Sequence, residues 1–129
     1  MPVVQVIGFD HVVLRCADVE ASLAFYCDEL GLAPDRVDAW RRGEVFFPSA
    51  RVDATTLIDL FPVGDGPPRA DVPNMDHICL VVAPADLDAL AGRFPGSRRA
   101  DGLYGAQGLA SSLYVQDPDG NTVELRSYA

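Results

Sequence analysis

A six-residue pattern occurs twice in this chain: Phe9-Asp10-His11-Val12-Val13-Leu14 and, 66 residues on, Met75-Asp76-His77-Ile78-Cys79-Leu80. An internal repeat constrains architecture more than any local propensity, because both copies must fold as the same supersecondary unit. The copies also continue alike. Ala17-Asp18-Val19-Glu20-Ala21 follows the first and Ala85-Asp86-Leu87-Asp88-Ala89 the second, while Ile58-Asp59-Leu60 and Val123-Glu124-Leu125 close them. His11 to Asp59 spans 48 residues and His77 to Glu124 spans 47. The 129 residues are therefore read as one domain made of two tandem modules, 1–61 and 75–129. Residues 62–74 hold four of the ten prolines and read as an extended linker.

Within the first module, Val3 to Leu14 is rich in β-branched residues and predicts a strand. Residues 18–30 place Val19, Leu23, Tyr26, Cys27 and Leu30 at helical spacing, with Asp18 as N-cap and Gly31 as stop. Residues 36–41, 44–47 and 55–61 read as three short strands, with the Pro48 to Asp53 segment as a separator. The second module repeats the order. Residues 76–83 form its strand, residues 85–94 carry Leu87, Leu90, Ala91 and Phe94 on one helical face, and Pro95-Gly96 ends that helix. Three strands follow, the last two flanking the turn Asp117-Pro118-Asp119-Gly120-Asn121. The expected fold class is α+β, two tandem βαβββ modules.

Side chains alternate along a strand, so each strand divides into two faces. Ile78, Leu80 and Val82, with Val123 and Leu125, make an aliphatic face, as do Val12 and Leu14 with Ile58 and Leu60. Those faces belong under the helices. His11, Asp59, His77 and Glu124 then fall on the other face, each at the equivalent place in its repeat. Either the four meet inside a curved sheet or they are spread over a solvated one. If they meet, burying the carboxylates costs several kcal/mol per charge unless a cation is present. Two histidines and a carboxylate are ligands that first-row metals use while keeping positions open for chemistry.

Charge narrows the partners. Ten basic and 19 acidic residues give a net charge of −9, which repels nucleic-acid phosphates and anionic lipid headgroups. No nucleic acid or membrane partner is expected. No apolar run approaches the roughly 20 residues of a membrane span, and the first basic residue is Arg15, so no basic n-region precedes an apolar stretch and a soluble cytoplasmic protein is expected. All ten basic residues are arginine, which excludes lysine Schiff-base chemistry. Cys16, Cys27 and Cys79 are odd in number and far apart, which fits a reducing compartment.

Several motifs together resemble the vicinal oxygen chelate superfamily of glyoxalases, bleomycin resistance proteins and extradiol dioxygenases. They are Asp10-His11-Val12-Val13-Leu14, Ala24-Phe25-Tyr26, Glu29-Leu30-Gly31-Leu32, the second Asp76-His77, and Tyr114-x-x-Asp117-Pro118-Asp119-Gly120-Asn121-x-x-Glu124. The resemblance implies a U-shaped mixed sheet wrapped around one divalent ion of Mn, Ni, Co, Zn or Fe. It puts His11, His77 and Glu124 on ligand positions of the family. Asp59 stands where glyoxalase-type members have Glu, one methylene longer. The implied activity is that of a small-molecule isomerase or lyase chelating neighbouring substrate oxygens. The alternatives are an Fe(II) dioxygenase and a metal-free binding protein.

Candidate catalytic groups are Glu124, Asp59 and Tyr114: a carboxylate released from the metal as base, the phenol as proton donor. Phe61-Pro62-Val63 replaces the Asn-Trp pair of glutathione-using relatives, and Val13 replaces the Thr of fosfomycin transferases. Trp40, Phe46, Phe47, Tyr104 and Tyr114 are candidate pocket walls. Arg15 and Arg126 share strand faces with ligands, and each is read as a surface ion pair or a substrate-carboxylate clamp. Gly102, Gly105 and Gly108 are read as a lid or as turns. Each module leaves an edge strand and a face that another module can cover. A homodimer is expected.

Overall fold

The computed structural model describes residues 2–63, 74–118 and 120–128. Contacts divide the chain into a middle unit, Val12–Asp76, and a terminal unit in which Met1–His11 joins His77–Ala129.

The middle unit contains the second half of β1 (Val6–Cys16), α1 (Val19–Leu23), β2 (Ala33–Asp35), α2 (Val37–Arg41), β3 (Ser49–Asp53) and β4 (Thr56–Pro62). Its strands lie in the order β2-β3-β4-β1, with β2–β3 and β3–β4 antiparallel. Asp18 caps α1 by accepting from the Ala21 amide at 3.0 Å. The helix continues as one π-helical stretch, Ala24–Glu29, which keeps Tyr26 and Cys27 on the packed side. Cys16, Val19, Leu23 and Leu60 form the buried core, with Leu14, Tyr26, Cys27, Val37, Trp40 and Ile58 packed against it. The aliphatic face does lie under the helix.

The terminal unit contains the first half of β1, β5 (Met75–Val82) from His77 onward, α3 (Leu87–Ala91), β6 (Arg98–Gly105), β7 (Gly108–Gln116) and β8 (Thr122–Ser127). Its order is β1-β5-β8-β7-β6; β5 runs parallel to β8, while β8–β7 and β7–β6 are antiparallel. Val82, Leu87, Leu90, Leu113 and Leu125 form its core, joined by Leu80 and Val123. The second half of the chain runs βαβββ, as the repeat predicts, and the first half keeps that order with α2 inserted between its second and third strands.

Three local expectations are corrected. Residues 36–41 contain α2 and not a strand, because Val37 and Trp40, three apart, both face the core while the residues between them do not. Residues 44–47 are not a strand either: the chain is still unwinding from α2, with the Glu44 amide bonded to the Ala39 carbonyl. The strand lies in the separator, where β3 pairs Ser49, Ala50 and Arg51 with Asp59, Ile58 and Leu57. Its Ser-Ala-Arg-Val-Asp composition hides it. Gly102 sits with φ +66° at a register shift between β6 and β7, and Gly105 and Gly108 close that hairpin, so this stretch is a paired hairpin with its turn at residues 106–107. Most of the 62–74 linker lies outside the described residues. No helix among the described residues is long and apolar enough to cross a membrane.

Candidate metal centre

Parallel pairing of β5 with β8 matches His77 with Thr122 and Cys79 with Glu124, so these four side chains share one sheet face. His11, in the first half of β1, joins them within the terminal unit. His11 Nε2 lies 3.2 Å from Glu124 Oε1, and His77 Nε2 lies 3.1 Å from the same oxygen. The imidazoles meet edge to face, centroids 5.5 Å apart. His11 is 2 %, His77 6 % and Glu124 1 % exposed.

The donor set fits a cation. Asp10 Oδ2 lies 2.7 Å from His11 Nδ1, and the same oxygen accepts the Ala106 amide at 3.0 Å. Asp10 Oδ1 accepts the Tyr128 hydroxyl at 2.5 Å. Burial opposes ionisation of Asp10, but bonds from His11, Tyr128 and Ala106 outweigh it and hold its carboxyl below the usual range. A carboxylate can only accept, so His11 Nδ1 carries a proton. The Nε2 of His11 and that of His77 then both face the same carboxylate oxygen, Glu124 Oε1. Burial opposes ionisation of Glu124 too; His11, His77 and the Ser112 hydroxyl overcome it and hold that carboxyl well below the carboxylate range. Separations of 3.1 and 3.2 Å are about those of neighbouring ligand atoms around one ion with bonds of about 2.0–2.2 Å. Cys79 forms a second cluster with Asp10 and His11, but burial pushes its thiol up to about 12, so it lines the site as a neutral group.

Asp59 belongs to the middle unit. It is 2 % exposed, and its Oδ1 accepts from Ser49 Oγ, its cross-strand partner, at 2.5 Å. Tyr114 is the corresponding cross-strand partner of Glu124. Its ring meets His77 edge-on at 5.5 Å, and Arg98 stacks on it at 4.4 Å. Burial and the Glu124 charge drive its phenol well above the usual range, so it is protonated at neutral pH.

The other candidates divide. Trp40 packs into the middle core. Phe46 and Phe47 cluster with Phe61 at 5.3 and 4.7 Å, and Phe46 is 62 % exposed. Tyr104 is half-buried on β6. Arg15 pairs with Asp76, each partly exposed. Arg126 is neither a surface ion pair nor a substrate clamp: it is 0 % exposed and donates to Glu124 Oε2 at 3.2 Å. Asp10 and Ser112 are site residues that face-by-face reading of the strands passes over. The only sequence signal for Asp10 is its position directly before His11.

The chain matches the Glyoxalase/Bleomycin resistance protein/Dioxygenase superfamily over residues 8–125. It is 30% identical over 128 residues to the glyoxalase domain-containing protein RDO1 of Mycosarcoma maydis, covering 94% of this chain and 68% of that protein. Among solved structures it is similar to methylmalonyl-CoA epimerase from Mycobacterium tuberculosis, at 20% identity and TM-score 0.60 over 100% of this chain and 93% of that one. It is also similar to the Mn(II)-bound glyoxalase from Novosphingobium aromaticivorans, at 24% identity and TM-score 0.66 over 96% of this chain and 40% of that one. Both structural likenesses speak for the fold. With its paired βαβββ modules and a match across nearly its whole length, the chain belongs to the glyoxalase/bleomycin resistance/dioxygenase superfamily.

Proposed function

We propose that this protein is a divalent-metal-dependent enzyme acting on a small molecule through two neighbouring oxygens, an isomerase or lyase of glyoxalase-like type. His11, His77 and Glu124 hold the ion. The observation that carries this reading is one buried carboxylate oxygen, Glu124 Oε1, facing the Nε2 atoms of both His11 and His77 at 3.2 and 3.1 Å. A Mn, Ni, Co, Zn or Fe ion there supplies Lewis-acid stabilisation of negative charge developing on substrate oxygens. Glu124, held ionised and engaged at both oxygens, serves as ligand more readily than as base. The Tyr114 phenol beside His77 is the proton-donor candidate by position; its raised pKa keeps it protonated, so it acts through a hydrogen bond to a substrate oxygen more readily than by full proton transfer. Asp59 enters on its repeat equivalence to Glu124, as a further ligand or as the base.

A second reading, an Fe(II) dioxygenase, is favoured by one feature: two histidines and one carboxylate close as a set within one unit. Anaerobic purification with metal analysis separates the readings. Mn, Ni, Co or Zn at one per chain supports the isomerase or lyase; iron with oxygen uptake supports the dioxygenase. A chain that takes up none of these ions is a binding protein and overturns both. We further propose a homodimer on the unpaired module edges, for which sedimentation at micromolar concentration is decisive: a monomer refutes it.

A further inference from the structure

The two oxygens of Glu124 have different surroundings. Oε1 faces the Nε2 atoms of His11 and His77. Oε2 accepts from Ser112 Oγ at 2.7 Å and from Arg126 Nη1 at 3.2 Å. Arg126 is itself fixed: Nη2 donates to the Leu103 and Gly108 carbonyls at 2.5 and 2.7 Å, and Cζ lies 4.8 Å over the Tyr128 ring. The guanidinium has room because residue 105 is glycine; a Cβ there would fall 2.5 Å from both Cζ and Nε. Nε has no hydrogen-bond partner among the described residues, so packing against Gly105 takes precedence over satisfying it. Tyr128 in turn donates to Asp10, which holds His11. The contacts close a ring through Arg126, Glu124, His11, Asp10 and Tyr128.

We propose that Arg126, seated by Gly105 and Tyr128, is a positioning residue that pins Oε2 of Glu124 and leaves Oε1 as the carboxylate's single ligating oxygen. The inference rests on the reading of His11, His77 and Glu124 as metal ligands. A carboxylate near an ion can bind through one oxygen or both, and the choice follows what the second oxygen is already bonded to. Here a charge-assisted N–H and a hydroxyl occupy Oε2, so turning it toward the histidines breaks two buried hydrogen bonds. Single-oxygen ligation leaves one more position open on the ion for a two-oxygen substrate. It also accounts for a buried arginine beside a ligand: Nη1 is turned to Glu124 and Nη2 to two carbonyls.

Cobalt(II) titration of the full chain, followed by visible absorption, tests this. Arg126→Met removes the guanidinium; Gly105→Ala displaces it while keeping every charged group. Each is expected to lower cobalt affinity about 10- to 100-fold. At saturating cobalt both should show the same weakened visible bands, because a carboxylate free to turn adds its second oxygen and raises the coordination number. A merely structural role lowers the melting temperature without altering the saturated spectrum. Folded variants that saturate with the wild-type spectrum overturn the proposal and leave the metal reading standing. A wild-type chain that takes up no cobalt overturns both. If Arg126→Met does not fold, Gly105→Ala decides by the same outcomes.

Discussion

The two copies of Asp-His use the same dipeptide differently. Asp10 turns to its neighbour His11 and fixes the ring's proton, with Ala106 and Tyr128 as further donors. Asp76, one repeat later, pairs with Arg15. The closing carboxylates diverge in the same way: Glu124 reaches two imidazoles and takes its hydroxyl from Ser112, whereas Asp59, a methylene shorter, takes Ser49 directly across the strand pair. Repetition therefore sets where a side chain stands in the fold. What it bonds to depends on neighbours the repeat does not share.

The largest test of that difference is Glu124→Gln against changes at Asp59. Glu124→Gln keeps the shape and removes the charge, and is expected to lower metal affinity more than 100-fold, read by competition with a chelator. Asp59→Ala should cost about tenfold, and Asp59→Glu, restoring the methylene, should bind at least as tightly as wild type. Equal losses at both positions would make the two carboxylates equivalent after all.

The Asp-His pairs give the next effect. Asp10→Asn should weaken metal binding about 10-fold or more, since it no longer dictates the His11 proton. Asp76→Asn should leave affinity within about twofold and cost at most about 1 kcal/mol in urea denaturation, because its partner Arg15 is partly exposed. A metal affinity that falls with Asp76→Asn as far as with Asp10→Asn would refute the division of roles.

Acid sensitivity separates the terminal unit further. Asp10 and Glu124 are both held below their usual values in the folded state, so their contribution is present above the unfolded carboxyl range, about 4, and is lost as pH falls toward the depressed values. The metal-free protein should melt at progressively lower temperature from pH 5 to pH 3, and Glu124→Gln should flatten that slope. A melting temperature independent of pH over this range in the wild type would contradict the assignment. The smallest effects belong to the serines: Ser112→Ala and Ser49→Ala should each cost about 1–2 kcal/mol, the price of a buried carboxylate oxygen losing one donor. Ser112→Ala should also shift metal affinity, and by more than Ser49→Ala.

From the sequence alone the repeat, the module order, the helix-facing aliphatic residues and the grouping of His11, His77 and Glu124 were legible, because strand alternation and helical spacing are local rules that hydrophobic burial enforces. The strand β3 was not, since Ser49 and Arg51 owe their places to Asp59 and Asp35 on neighbouring strands. Nor was α2, where Val37-Asp38-Ala39-Trp40 alternates well enough to pass for a strand until the core selects its three-residue spacing. The tertiary structure alone decided that Arg126 is buried, that Gly105 makes room for it, and that Asp10 serves His11. Those facts depend on contacts between residues as much as 118 positions apart, as Tyr128 is from Asp10, and no periodicity within a strand carries information over that distance.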